Sequence, residues 1–202
     1  MTGGDVGTRS RGRPSTGVRE AVIANAQQVL AESGLARLST KEIAARAGVA
    51  ESSIFYHFGD RMGLLQAVIQ HQLRPLKDLL ADAPAADLRT ALRSLLATLE
   101  EFFVAALPVM AAVQSDAELG AVYRERSRDL DLGPHRAVDA VVAYLSARGI
   151  EATDLRTLAL LLVGAAHQRA LQRQLSPPDA LVELPSPDAI VEVALPLFET
   201  KD

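Results

Sequence analysis

Glu51, Ser52, Ser53, Phe55, Tyr56 and His57 bring hydroxyls, an imidazole, aromatic rings and a carboxylate into one short stretch of the chain. The aromatics are concentrated there. The whole chain has five Phe and three Tyr, yet Phe55, Tyr56 and Phe58 fall together with His57 among them. These residue types form no nucleophile–base pair. They are suited to surface contacts with a polyanion: hydroxyls and imidazole donate to phosphates, and aromatic faces contact thymine methyl groups.

Two short helices must position these groups. In "LSTKEIAARAG" Ser39 and Glu42 have capping-box spacing and open a helix over 39–47 that Gly48 closes. "AESSIFYHF" predicts a second helix over 50–58, with Ile54 and Phe58 on its inner face. Gly48 permits the positive φ of a sharp turn, and Val49 plugs the angle between the helices. With Ile54 and Phe58 inward, the other side chains of 51–57 are left outward or at the edges. Neighbours on a helix point about 100° apart, so Phe55 and Tyr56 cannot both be tucked away. The build is that of a helix-turn-helix, whose second helix enters a DNA major groove. An ordinary pair of short helices in an α bundle is the bland alternative.

The string "LSTKEIAARAGVAESSIFYHFGDRMGLL", 38–65, resembles the DNA-binding signature of the TetR/AcrR family of bacterial transcriptional regulators. The resemblance implies phosphate contacts from Thr40, Ser53, His57 and Arg61. It implies base-edge or groove contacts from Lys41, Glu51, Ser52, Phe55 and Tyr56. Ala50 stands where the family usually has a hydroxyl N-cap, a loss of about 1 kcal/mol at the start of the helix. Ser52 replaces a frequent Gly and Phe55 a frequent Tyr. From its own chemistry, Glu51 either accepts from a cytosine amino group or complements the helix N-terminus; the second reading is preferred.

Charge is unevenly placed. Residues 1–61 carry +2 and the remainder −6, within a net charge of −4. Arg9, Arg11 and Arg13 form a basic arm, and Arg11 and Arg13 flank a Gly in a way that suits a narrow minor groove. Cysteine is absent, which excludes disulfides, thiolate catalysis and Cys-based metal sites. No metal and no cofactor are expected. The charge-free stretch 102–115 is short for a membrane span and the first residues lack an apolar signal core, so no membrane partner and a cytoplasmic location are expected.

Beyond the reading head the pattern stays helical, and no strand pattern survives. Helices are expected over 17–33, over 60–80 with a kink or end at Pro75, from 87 to a stop at Pro108, from 108 to about 114, over 119–129, 134–148, 154–175 and 187–199. The fold class is therefore all-α. The family resemblance implies about nine helices. It divides the chain into a flexible arm at 1–16, a three-helix helix-turn-helix domain at 17–62, and an effector-binding and dimerisation domain at 63–202.

Helix 154–175 is apolar on more than one face and must bury the second against another body. Leu161, Gly164, Ala165 and Gln168, with Ile190, Val193, Ala194 and Leu197 of the last helix, are the expected homodimer interface. Candidate effector contacts are Phe102, Phe103, Met110, Gln114, Tyr123, Tyr144 and His167, with His135 considered beside them. His167 ranks first because it interrupts an apolar run. Glu100 and Glu101 suit a cationic ligand or a solvated helix face equally well.

The reading that follows is a homodimeric repressor on a palindromic double-stranded operator, released by an unidentified small apolar or amphipathic effector. It is not an enzyme. The alternatives are a small all-α enzyme, using His135 or His167 beside Glu101 or Asp116, and a helical adaptor.

Overall fold

The computed structural model describes residues 15–33, 39–81, 87–129, 133–150 and 154–198. Arg11 and Arg13 of the expected basic arm lie outside the described residues. All regular structure among the described residues is helical. The chain forms two compact units, Met1–Val68 and Ile69–Asp202.

In the first unit α1 (Ser15–Ser33), α2 (Thr40–Ala47) and α3 (Glu51–Phe58) pack on one another. Val22, Ala26 and Val29 of α1, Ile43 of α2 and Ile54 of α3 are buried, as their helical spacing predicts. Ser39 caps α2 by accepting from the Glu42 N–H at 3.4 Å. The reciprocal half of the capping box does not form, because the Glu42 carboxylate binds Arg46 at 2.8 Å. Arg46 also reaches Glu32 of α1 at 2.7 Å, tying the two helices. Arg19 of α1 lies over the Phe58 ring, 5.5 Å from its centroid, an attractive cation–ring contact between α1 and α3.

The fourth helix, α4 (Arg61–Gln72), starts where Asp60 accepts from the Gly63 N–H at 2.8 Å. Met62, Leu64, Leu65 and Val68 are buried and belong to the first compact unit. Gly63 has no substitute at this point. A Cβ there would lie 1.9 Å from the Phe58 carbonyl oxygen, a backbone atom that cannot step aside alone. Gly63→Ala is expected to destabilise the protein by about 1–2 kcal/mol in urea unfolding. That figure is roughly 2–3 for forced repacking against a backbone atom, the upper part of the usual range of about 1–3, less the ~1 that Ala gains in helix propensity. A variant as stable as the parent would contradict the close approach.

The second unit contains α5 (Arg74–Ala81), α6 (Leu88–Ser115), α7 (Ala117–Asp129), α8 (Pro134–Ala147), α9 (Leu155–Leu175) and α10 (Pro187–Ala194), with short 3-10 turns at Pro178–Glu183 and Leu195–Leu197. The expected 60–80 helix is thus two helices, and Pro75 sits at the second position of α5, where a missing N–H costs nothing. Helix α6 packs most extensively on α9. Helix α8 also packs on α9, α10 and α7 pack on α6, and α5 packs on α6 and α8. Leu92, Leu95, Leu96 and Leu99 of α6, Val141 and Leu145 of α8, and Ala159, Leu162 and Ala166 of α9 form the core.

Pro108 was expected to stop a helix, but α6 runs through it. The ring removes the N–H that the Val104 carbonyl four residues earlier would accept. Gln174 of α9 donates its side-chain amide to that carbonyl at 3.3 Å, and Gln72 of α4 donates to the neighbouring Ala105 carbonyl at 2.9 Å. Side chains from two other helices therefore repair the interrupted ladder.

By length and composition alone α6 could cross a membrane. Its apolar face is instead the core of this unit, and Glu100 within it is buried in an ion triad. Glu100 is neither a ligand contact nor a solvated acid. It accepts from Arg169 at 2.6 Å and Arg173 at 2.8 Å, and only Glu101 faces solvent.

Candidate nucleic-acid interface

Helix α3 presents the candidate residues because its inner face is anchored and its start is open. Ile54 is 1% exposed and Phe58 9%, so the opposite arc is forced outward. Tyr56 is 85% exposed and Phe55 49%, an arrangement water does not favour for two large rings. The Tyr56 and His57 rings meet edge to face at 5.1 Å, which limits the rotamers of Tyr56. Glu51 and Ser52 are exposed, while Ser53 and His57 are half-buried at the sides.

The turn before α3 has the expected form. Gly48 adopts φ 67°, and the Val49 N–H bonds to the Ala44 carbonyl at 3.0 Å, closing α2 and fixing the angle to α3. Ala50 provides no side-chain cap to α3, as the sequence implied.

Helix α2 contributes Lys41, exposed, and Thr40, half-buried. The Thr40 hydroxyl donates to the Glu51 carboxylate, linking the first residue of α2 to the first residue of α3. This bond gives Glu51 a structural task and spends the Thr40 proton, so Thr40 meets a phosphate only by exchanging partners. No local pattern of residues signals this pairing, because it joins two helix starts across the turn. Arg61 is half-buried, with its Nε enclosed by the protein. Lys41, Glu51, Ser52, Phe55 and Tyr56 are the exposed members of the set, and of these Glu51 is engaged by Thr40.

Residues 22–68, spanning this whole arrangement, match the family model of bacterial regulatory proteins of the tetR family. Over these residues the chain is similar to the tetR family. A curated relative, the HTH-type transcriptional repressor BepR of Brucella suis biovar 1 (strain 1330), is 30% identical over 108 residues, 54% of this chain and 50% of BepR. The match thus spans about half the length of that relative.

The likeness in fold extends over nearly the whole chain. A transcriptional regulator from Rhodococcus sp. Rha1 superposes with TM-score 0.63 at 22% identity, covering 89% of this chain and 95% of that one. The multidrug binding protein EbrR, complexed with imidazole, gives TM-score 0.58 at 23% identity over 91% of this chain and 96% of its own. At these identities the likeness carries the fold alone.

The effector candidates are not gathered into one place. His167 is exposed and stands edge-on to Phe103 at 5.1 Å. The buried Tyr144 accepts from Arg148 at 2.7 Å and carries that guanidinium 4.5 Å over its ring, so its hydroxyl is already engaged. Phe102, Phe103 and Met110 are half-buried and Gln114 is exposed. Tyr123 alone of the seven lines the cleft between α7 and α8.

On the expected dimer face Leu161 is 58% exposed, Val193 78% and Leu197 53%, with Gly164 and Gln168 also open. Ala165, Ile190 and Ala194 are half-buried and pack partly on the core of their own unit. Leu160, Leu175 and Val182 are large exposed apolar residues that sequence reasoning did not single out. With α9 spaced at 3.6 residues per turn, Leu160 and Leu175 extend the Leu161–Gly164–Gln168 stripe and could have been found from that phase.

Proposed function

We propose that this chain is a ligand-responsive DNA-binding transcriptional regulator, a repressor that binds a palindromic operator as a homodimer. The observation that carries the reading is the outward projection of Tyr56 and Phe55 from a helix anchored by Ile54 and Phe58, with Lys41 and Ser52 beside them. Two exposed rings among donors make a groove-reading surface.

The apolar stripe of α9 together with Val193 and Leu197 is the surface through which two copies pair. A two-fold dimer offers two recognition helices to successive major grooves, about 34–36 Å apart, and so requires a palindromic site. Effector control is favoured by EbrR and by SmeT, whose structures are a complex with imidazole and a complex with triclosan respectively. Release by an effector needs a coupling of only about 1–3 kcal/mol between ligand and operator.

A gel-shift assay with DNA flanking the protein's own coding region tests the reading. Tyr56→Ala should weaken binding about tenfold or more, in line with the loss of a groove contact. Its melting temperature should stay at the parental value, because the ring is exposed. Unchanged affinity in a folded variant, or no retardation of any flanking fragment by the parent, would sink the proposal.

A further inference from the structure

Tyr123, Arg124, Ser127 and Arg128 share one face of α7, and Gly133, Pro134 and His135 at the start of α8 form the opposite wall of a cleft of about 440 Å³. Three properties of this cleft converge on one kind of ligand. Ser127 is 7% exposed and its hydroxyl has no hydrogen-bond partner, although it lines the cleft. A buried hydroxyl without a partner is rare in a folded protein and is explained when a ligand supplies the missing contact.

Arg124 and Arg128, one turn apart and exposed, enter no ion pair among the described residues. Arg89, Arg93, Arg136, Arg156, Arg169 and Arg173 of the same unit all do. Glu118, Glu125 and Asp129 are carried on the same helix but do not line the cleft.

The first turn of α8 completes the site. Its N-cap is Gly133, which has no side chain to spend on the free N–H groups, so the positive end of the helix is left uncapped beside the two guanidinium groups. Gly133 holds φ 141°, and a Cβ there would lie 2.9 Å from His135 Cε1. Glycine is thus required for the His135 ring to fold back over the cap. Tyr123, 7% exposed, gives the cleft an aromatic wall.

We propose that this cleft binds a small organic oxyanion, a carboxylate or a phosphate monoester on an apolar body, through Ser127, Arg124, Arg128 and the start of α8. The inference concerns binding alone and does not rest on the DNA reading; where that reading holds, the anion is the effector.

Calorimetric titration of the full chain without DNA, using phenyl phosphate, phenylacetate and neutral phenylacetamide, tests it. At least one anion should bind about tenfold more tightly than the amide, the ratio expected of a charge-assisted hydrogen bond. Arg124→Gln with Arg128→Gln should remove that preference. Ser127→Ala should weaken the anion while leaving the melting temperature unchanged or raised, since the hydroxyl has no protein partner to lose. It also keeps the test open if the double variant fails to fold. Binding of phenyl phosphate alone assigns the site to phosphate monoesters, and of phenylacetate alone to carboxylates. Binding of neither anion, equal binding of the amide, or anion affinity unchanged in the folded variants would overturn the assignment.

Discussion

Glu100→Ala is expected to lower unfolding free energy by about 3–5 kcal/mol, the range for removing one partner of a buried ion pair. The size follows from what is left behind. The Arg169 side chain is 11% exposed and keeps its charge without its principal acceptor, whereas Arg173, 54% exposed, can turn to solvent. Arg169 also donates to the Pro185 carbonyl, so the same change loosens the segment between α9 and α10. Chemical denaturation measures the loss directly. Glu100→Leu combined with Arg169→Met should recover most of it, because an apolar pair removes both the charge and its desolvation cost.

The same triad has a pH signature. Burial pushes the Glu100 carboxyl up, but the hydrogen bonds and charges of Arg169 and Arg173 outweigh it and hold its pKa below the ordinary glutamate value of 4.5. A carboxyl whose pKa is lowered by folding contributes stability that is fully present above the unfolded value and is lost as pH falls through the folded value. Stability near neutral pH should therefore be flat with respect to this group and should decline in acid below about 4.5. Glu100→Gln should flatten part of that acid slope. An unchanged slope would show that the triad is not the titrating element.

Operator affinity is expected to fall about 10³–10⁵-fold between roughly 50 and 200 mM salt if the dimer engages about six to ten phosphates. The number follows from the resemblance, which assigns four phosphate-facing residues to each head, Thr40, Ser53, His57 and Arg61. The chain is acidic, with net charge −4, so attraction cannot arise from the molecule as a whole and must come from the reading surface and the expected basic arm. Measuring the binding constant across a salt series decides the matter. A flat response would remove phosphate contact, and with it the DNA reading, whereas Lys41→Ala should reduce the slope by about two, one for each subunit, if that side chain meets a phosphate.

The reading head was legible because everything that builds it is local. The Gly48 turn, the Ser39 and Asp60 caps and the inward pair Ile54 and Phe58 each depend on neighbours within a few residues. The second unit was less legible where distant side chains decide. Pro108 reads as a stop because the residues that rescue its ladder, Gln72 and Gln174, come from helices far away in sequence. Glu100 reads as a surface acid because its partners lie 69 and 73 residues later. Its phase, one turn after Leu96 in the buried stripe, was the available signal. His167 drew attention as an imidazole in an apolar run, but that run has a solvent-facing side, and His167 is on it.

The mending of α6 at Pro108 has a mechanical consequence. A backbone rung is stiff, since both of its ends are built into the helix, but a glutamine amide hangs on rotatable carbons and can keep its grip while the helix bends. The 28-residue helix should therefore bend more readily at this point than along the rest of its length. Gln72 and Gln174 hold the carbonyls there, so shortening either side chain should change how readily the helix flexes without disturbing the apolar core along it.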